Sequence, residues 1–146
     1  MADDKPSEDF IDWNTFQQIL EMDDDENDRE FSAGIVANYF EQAESTFEEM
    51  DNALATKDLK QLSSLGHFLK GSSAALGLTK IQNSCEKIQH LGNNLDETGN
   101  FSQEDSVCLD RIKAALSDAR TDYANAQNYM QSFFGEALTV AKAGDD

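Results

Sequence analysis

The chain has 146 residues, 29 of them acidic and 11 basic, for a formal net charge of −18. That length supports one core and no second domain, and the charge repels nucleic acid and anionic membrane surfaces. No apolar run approaches the roughly 20 residues that span a bilayer, and the N-terminus opens acidic instead of with a basic then apolar signal, so a soluble protein that is not exported is expected.

Residues 1–8 (MADDKPSE) and 141–146 (AKAGDD) are polar and aperiodic, and are expected to be disordered tails of a single domain covering 1–146. Between them five helices are predicted, and no run alternates apolar and polar residues over a strand length. The first helix runs from Trp13 to Met22 behind Asp12 as N-cap, and the acidic run Asp23 to Asp28 closes it. At about 100° per residue, Trp13, Phe16 and Leu20 fall on one side of this helix, while Ile11, Ile19 and Met22 fall on the other. A short helix apolar on two sides either lids the end of a bundle or offers a docking patch to a partner, and both readings stand at this level.

The second helix, Arg29 to Ala55, carries Ile35, Val36, Tyr39, Phe40, Ala43, Phe47, Met50 and Leu54 at the helical period, with Phe31 well off that stripe. The third, Asp58 to Leu76, carries Leu62, Leu65, Leu69 and Leu76. The fourth opens on Thr79 and Gln82, spaced as a capping box, and carries Ile81, Cys85, Ile88, Leu91 and Leu95. The fifth opens on Ser102 and Asp105 and carries Cys108, Ile112, Leu116, Ala119, Tyr123, Ala126, Met130 and Phe133. Four amphipathic helices with short connections predict an all-α, up-down antiparallel four-helix bundle with an additional short N-terminal helix. Cys85 and Cys108 lie on apolar stripes and read first as buried free thiols, with a disulfide or a metal pair as the alternatives.

One residue departs from this bland pattern. On the third helix His67 projects about 170° from the centre of the leucine stripe at ~100° per residue, so it is expected to face solvent. Ser64, Lys70, Gly71 and Ala74 share its face, and all but the lysine are small. Two glycines, Gly66 and Gly71, flank it, although each glycine within a helix costs roughly 1 kcal/mol relative to alanine. Close approach of a bulky partner to the backbone would account for both. Residues 59–85 contain no Asp or Glu, where the average composition of this acidic chain would place about five. A neutral imidazole, with a typical pKa of roughly 6.5, is nucleophilic without a separate base, so small neighbours, one cation and no acid suit a phosphoryl group on His67. His90 has no such surroundings and is expected to be an ordinary surface histidine.

The run Gly66-His67-Phe68-Leu69-Lys70-Gly71-Ser72-Ser73-Ala74-Ala75-Leu76-Gly77-Leu78 resembles the active-site helix of histidine-containing phosphotransfer proteins, and Cys85-Glu86-Lys87-Ile88-Gln89 resembles the helix that follows it. Ile11-Asp12-Trp13 and Met22-Asp23-Asp24-Asp25 add a likeness to the fungal, yeast-type members, so that residues 10–95 are covered strongly and the last helix by periodicity alone. The resemblance implies a phosphorelay intermediate. A phosphoryl group would come to His67 Nε2 from an aspartate in the receiver domain of a hybrid sensor kinase and leave to an aspartate in a response regulator.

It further implies that Lys70 balances phosphate charge, that Ser72 and Gln89 support the imidazole, and that Gly71 admits the receiver. Ser64, Ala74, Thr15, Ile19, Met22 and Phe31 would complete the docking surface. No metal site is expected in this chain; Mg²⁺ and most catalytic groups would belong to the receiver. A monomer acting in cytoplasm and nucleus, in stress signalling, is implied as well. Asn93 stands where some relatives carry a basic residue. Two other classes fit part of the pattern: a helical adaptor that binds through the first helix, and a carboxylate metal bundle, which would need inward Glu residues and a Glu-x-x-His pair, whereas Glu86 and His90 are spaced by four.

Overall fold

The computed structural model describes residues 11–25 and 28–144. Six helices make up its regular structure: α1 (Trp13–Leu20), α2 (Glu30–Ala55), α3 (Leu59–Ala75), α4 (Thr79–Gly92), α5 (Asp105–Phe134) and α6 (Glu136–Gly144). Among the described residues β structure amounts to two isolated bridges, Asp25 with Asp28 and Leu95 with Ser102.

Helices α2 to α5 are the expected four-helix bundle. Val36, Phe40, Met50, Leu62, Leu69, Ile81, Ile88, Leu91, Ile112 and Met130 interdigitate along its axis and are all but closed to solvent. At about 25 cal/mol per Å² of apolar surface, this layered burial is the main term that orders the helices. Polar ties then fix their register. Tyr39 Oη and Ser73 Oγ meet at 2.8 Å between α2 and α3, Ser63 Oγ donates to the Gln89 carbonyl at 2.9 Å between α3 and α4, and Arg120 grips Asp51 at 2.6 and 3.0 Å between α5 and α2. Cys85 and Cys108 are free and buried, as read from their positions.

Helix α1 closes one end of this bundle. Asp12 caps it, its side chain accepting from the Asn14 amide at 3.1 Å, and Trp13 and Phe16 pack edge to face on Phe133 near the C-terminus of α5. Only Met22 of the expected second apolar side is exposed; Ile11 and Ile19 are buried. The helix ends at Leu20, short of Met22.

Three local expectations are corrected. Gly135, at φ +58°, ends the fifth helix, and the chain continues as α6, which buries Leu138 against the bundle; residues 141–144 are therefore helical and no tail, while residues 1–8 and 145–146 lie outside the described residues. Thr79 is the first residue inside α4 and not its cap, because the turn before it is closed by the Leu78 amide bonding back to Ser73 O at 2.9 Å. Ser102 likewise sits outside α5, whose N-cap is Glu104, because Ser102 is used in the bridge to Leu95.

For α2 the cap comes from a distance. The Asp23 carboxylate accepts from the Ser32 amide at 2.9 Å and from Ser32 Oγ at 2.6 Å, with Arg29 at 3.4 Å. A carboxylate at a helix N-terminus satisfies orphan amides and meets the positive end of the helix dipole.

Candidate functional site

Helix α3 presents His67 because its leucines face inward. Leu59, Leu62, Leu65 and Leu69 are buried, which turns His67, Ser64 and Gly71 to solvent and leaves Ala74 half-buried. Asp58 caps the helix by accepting from the Gln61 amide at 3.1 Å. Its other end is a Schellman turn through Gly77 at φ +76°, and the Asp12 amide donates to the Gly77 carbonyl at 2.6 Å. A Cβ on Gly77 would stand 2.6 Å from the Asp12 carbonyl, so this glycine is what lets α1 dock at the end of α3. Among the described residues neither ring nitrogen of His67 has a hydrogen-bond partner.

The two glycines beside His67 have different causes. Around Gly71 a Cβ would meet no atom of a neighbouring element within 4 Å, so nothing among the described residues requires a glycine there. At Gly66 a Cβ would lie 2.9 Å from the Cys85 carbonyl oxygen, 2.9 Å from the Gln89 amide nitrogen and 3.2 Å from Ile88 Cγ2. Gly66 is thus a contact point between α3 and α4, as is Gly92, whose Cβ would collide with the backbone of Ser63 and Leu59. Gly66 thus has a cause inside the fold, and the partner-approach explanation expected for both glycines is contradicted there, while Gly71 has no such internal cause among the described residues.

This tight crossing brings α4 side chains beside the histidine face. Lys70 Nζ lies 3.9 Å from Glu86 Oε2, both side chains partly exposed. The stretch free of acid along the chain is therefore not free of acid in space. Gln89 projects from the same helix, and its Oε1 is buried without a hydrogen-bond partner among the described residues. Ser72, expected to support the imidazole, instead donates to the Phe68 carbonyl at 3.3 Å, one turn back on its own helix. The Glu86 and His90 pair weighed as metal ligands is drawn apart, Glu86 to Lys70 and His90 Nδ1 to the Glu97 carbonyl at 2.9 Å. His90 is correspondingly half-buried and not the plain surface histidine expected. Cys85, under the site, is pushed up to about 12 by burial and stays a protonated thiol at neutral pH. Asn93 is the exposed C-cap of α4.

The docking residues divide. Met22 is 57% and Phe31 56% exposed, and they line one shallow groove with Ile35 and Gly34, rimmed by Asp24, Asp28 and Glu30. Thr15 is half-buried and donates to Asp12 Oδ2 at 2.9 Å. Ile19, at 7% exposure, belongs to the core and is not available to a partner. One residue that the sequence reading passed over is Phe68, 49% exposed beside His67. Its signal was available: it lies about 100° from His67 and off the leucine stripe.

Residues 34–122 match the family described as Hpt domain. The chain is 49% identical over 126 residues to "Multistep phosphorelay regulator 1" of Schizosaccharomyces pombe, which covers 86% of this chain and 42% of that protein. It is 44% identical over 124 residues to "Phosphorelay intermediate protein YPD1" of Candida albicans, covering 82% and 66%. The chain thus spans between 42% and 66% of the length of these curated relatives. Among solved structures, the Saccharomyces cerevisiae histidine phosphotransfer signaling protein Ypd1, in co-crystal with the receiver domain of its downstream response regulator Ssk1, superimposes with a TM-score of 0.77 at 33% identity, over 89% of this chain and 97% of that one.

Proposed function

The chain belongs to the Hpt domain family, and from that membership we propose that it is a phosphorelay intermediate, taking a phosphoryl group on His67 from the receiver domain of a hybrid sensor histidine kinase and giving it to the receiver domain of a response regulator. The observation that carries this reading is the row of small residues on the His67 face, Ser64, Gly71 and Ala74, with Gly71 opening on empty space. A receiver must bring an aspartyl phosphate to within bonding distance of an imidazole, and a row of small residues above and below the imidazole lets two folded domains approach so closely.

The transfer is a displacement at phosphorus. The Nε2 lone pair of a neutral imidazole forms the N–P bond, the acyl-phosphate O–P bond breaks, and the aspartate leaves as a carboxylate with the bonding pair. The proton on Nδ1 stays in place, so no general base is needed. Gln89 Oε1, a buried acceptor with no partner among the described residues, is suited to receive that Nδ1 proton as a hydrogen bond and so keep the Nε2 lone pair turned outward. Lys70 answers the charge of about −2 that arrives with the phosphoryl group. Ser72, bonded to the Phe68 carbonyl, steadies the helical turn that carries the imidazole. Met22, Phe31 and Phe68 give the receiver an apolar footing beside the site, with Ser64, Ala74 and Thr15 at its margins.

In this reading the chain is a carrier and not an enzyme in its own right, and Mg²⁺ with the remaining catalytic groups belongs to the receiver. It acts as a monomer in cytoplasm and nucleus, in a stress response. Among the described residues no helix is long and apolar enough to cross a membrane. The test is incubation with a receiver domain carrying labelled aspartyl phosphate. Label that appears on the chain, stable to base and labile to acid, and that moves on to a second receiver supports the relay. A chain that binds the receiver but takes no label is an adaptor.

A further inference from the structure

Among the described residues the one charged pair at the site joins Lys70 to Glu86, and its length is informative. At 3.9 Å the pair is well beyond the 2.7–2.9 Å of a charge-assisted hydrogen bond, so the ammonium is attracted by the carboxylate without being committed to it. The register of the pair is not accidental. Gly66 lets the backbone of Cys85 and Gln89 lie against α3, and that contact sets the intervening Glu86 opposite Lys70. Lys70 follows His67 by three positions on one helix, which makes the two side chains surface neighbours.

We propose that Glu86 is a positioning residue that holds Lys70 beside the empty histidine and competes with the phosphoryl group for it once His67 is loaded, so that Glu86 sets how readily the carrier gives its cargo away. The inference rests on the carrier reading of His67. A carrier must not bind its phosphoryl group too well, because whatever stabilises phosphohistidine is lost again on transfer to the next aspartate. A lysine alone beside His67 would favour retention. A single carboxylate charge cannot keep the lysine from a group of about −2, but it reduces the net attraction that the group experiences. Both side chains are partly exposed, which limits the effect to a few-fold.

The experiment is the equilibrium partition of label between a phosphorylated receiver domain and the full chain, with thermal unfolding as a control for fold. Glu86→Gln is expected to shift the partition about two- to fivefold toward His67 and to lengthen the life of the phosphohistidine, the range reached by exposed ion pairs. The shift should shrink at 1 M salt, where the screening length is about 3 Å. In a Lys70→Gln background the same substitution should do nothing. An undiminished shift in that background would show Glu86 acting on the phosphoryl group directly and would overturn the proposal. A labelled parent with an unshifted Glu86→Gln variant overturns it too, leaving the carrier reading intact, whereas a parent that takes no label overturns both.

Discussion

The chain has two histidines, each with a glycine beside it, and the two regions use that pairing in opposite ways. At the α4–α5 connection, Gly99 at φ +79° has its missing Cβ about 3.0 Å from the His90 ring, and His90 Nδ1 bonds to the Glu97 carbonyl at 2.9 Å. A carbonyl can only accept, so Nδ1 carries the proton there and the ring is a strut. At the other site Gly71 faces nothing, and the His67 ring has no partner among the described residues. Glycine next to a histidine thus means an internal fit in one place and an open face in the other. Only the space around the glycine tells them apart.

The largest effect expected from this contrast is at His67 itself. His67→Gln should abolish acceptance of label while unfolding within about 0.5 kcal/mol of the parent, since an exposed side chain contributes little packing. Next is Gly71→Arg. The new side chain fills no core space and gains helix propensity of up to about 1 kcal/mol, yet it stands where the receiver must come; an error of about 1 Å in reacting geometry can cost on the order of 100-fold in rate. Single-turnover transfer measured beside an unfolding curve checks both halves. Undiminished transfer in that variant would mean that no partner approaches this face. Gly66→Ala should do the reverse: its methyl group meets backbone that cannot turn aside, so stability falls by about 1–3 kcal/mol, while transfer per folded molecule falls far less than in Gly71→Arg.

These outcomes bear on what could be read without coordinates. The 3.6-residue period identified the four bundle helices and turned His67 outward, because both depend on neighbours along a single helix. Gly66 was misread for the same reason: its cause is the Cys85 carbonyl on the next helix, and interhelical register is not written in either helix alone. Glu86 beside Lys70 was missed in the same way. The capping expected at Thr79 and Ser102 failed because a turn closed from the Leu78 amide to Ser73 O and a bridge from Ser102 to Leu95 take those places, and the carboxylate of Asp23, which accepts from the Ser32 amide of α2 nine residues away, went unforeseen. The break at Gly135 was legible in principle, but continuing periodicity through Met130 and Phe133 pointed past it to aperiodic residues, and α6 was lost.

The proposed docking surface offers a smaller test along the same line between inside and outside. Phe31→Asp should weaken receiver binding by about 1 kcal/mol or more, the threshold of an energetically significant interface residue, with little change in melting temperature because the ring is mostly in solvent. Ile19→Asp should lower the melting temperature sharply, because it places a charge among core side chains. Titration of each variant with a receiver domain, read beside its melting curve, separates the two. Equal loss of affinity per folded molecule in both variants would mean that α1 touches the receiver in spite of its burial.

The smallest effect is expected at His90, and its smallness is what makes the contrast between the histidines sharp. His90→Ala removes one hydrogen bond to a partly exposed carbonyl, worth about 0.5–1.5 kcal/mol, and leaves transfer unchanged. The loop survives because Asp96 holds it independently: Asp96 Oδ1 accepts from Thr98 Oγ1 at 2.6 Å and from the amides of Thr98, Asn100 and Phe101, while the Gln103 amide donates to the Asn94 carbonyl at 2.8 Å. Those bonds, the one from Thr98 Oγ1 foremost, hold the Asp96 carboxyl below its usual value of 3.8. A carboxyl lowered on folding stabilises the loop at pH above the unfolded value and loses that contribution as pH falls through the folded one. Without the His90 strut the loop depends on Asp96 more heavily. Hydrogen exchange across residues 94–103 should therefore be modestly faster in His90→Ala at neutral pH, and the gap from the parent should widen as acid protonates Asp96. Loss of label transfer in His90→Ala, with transfer kept in His67→Gln, would place the phosphoryl group on the wrong histidine.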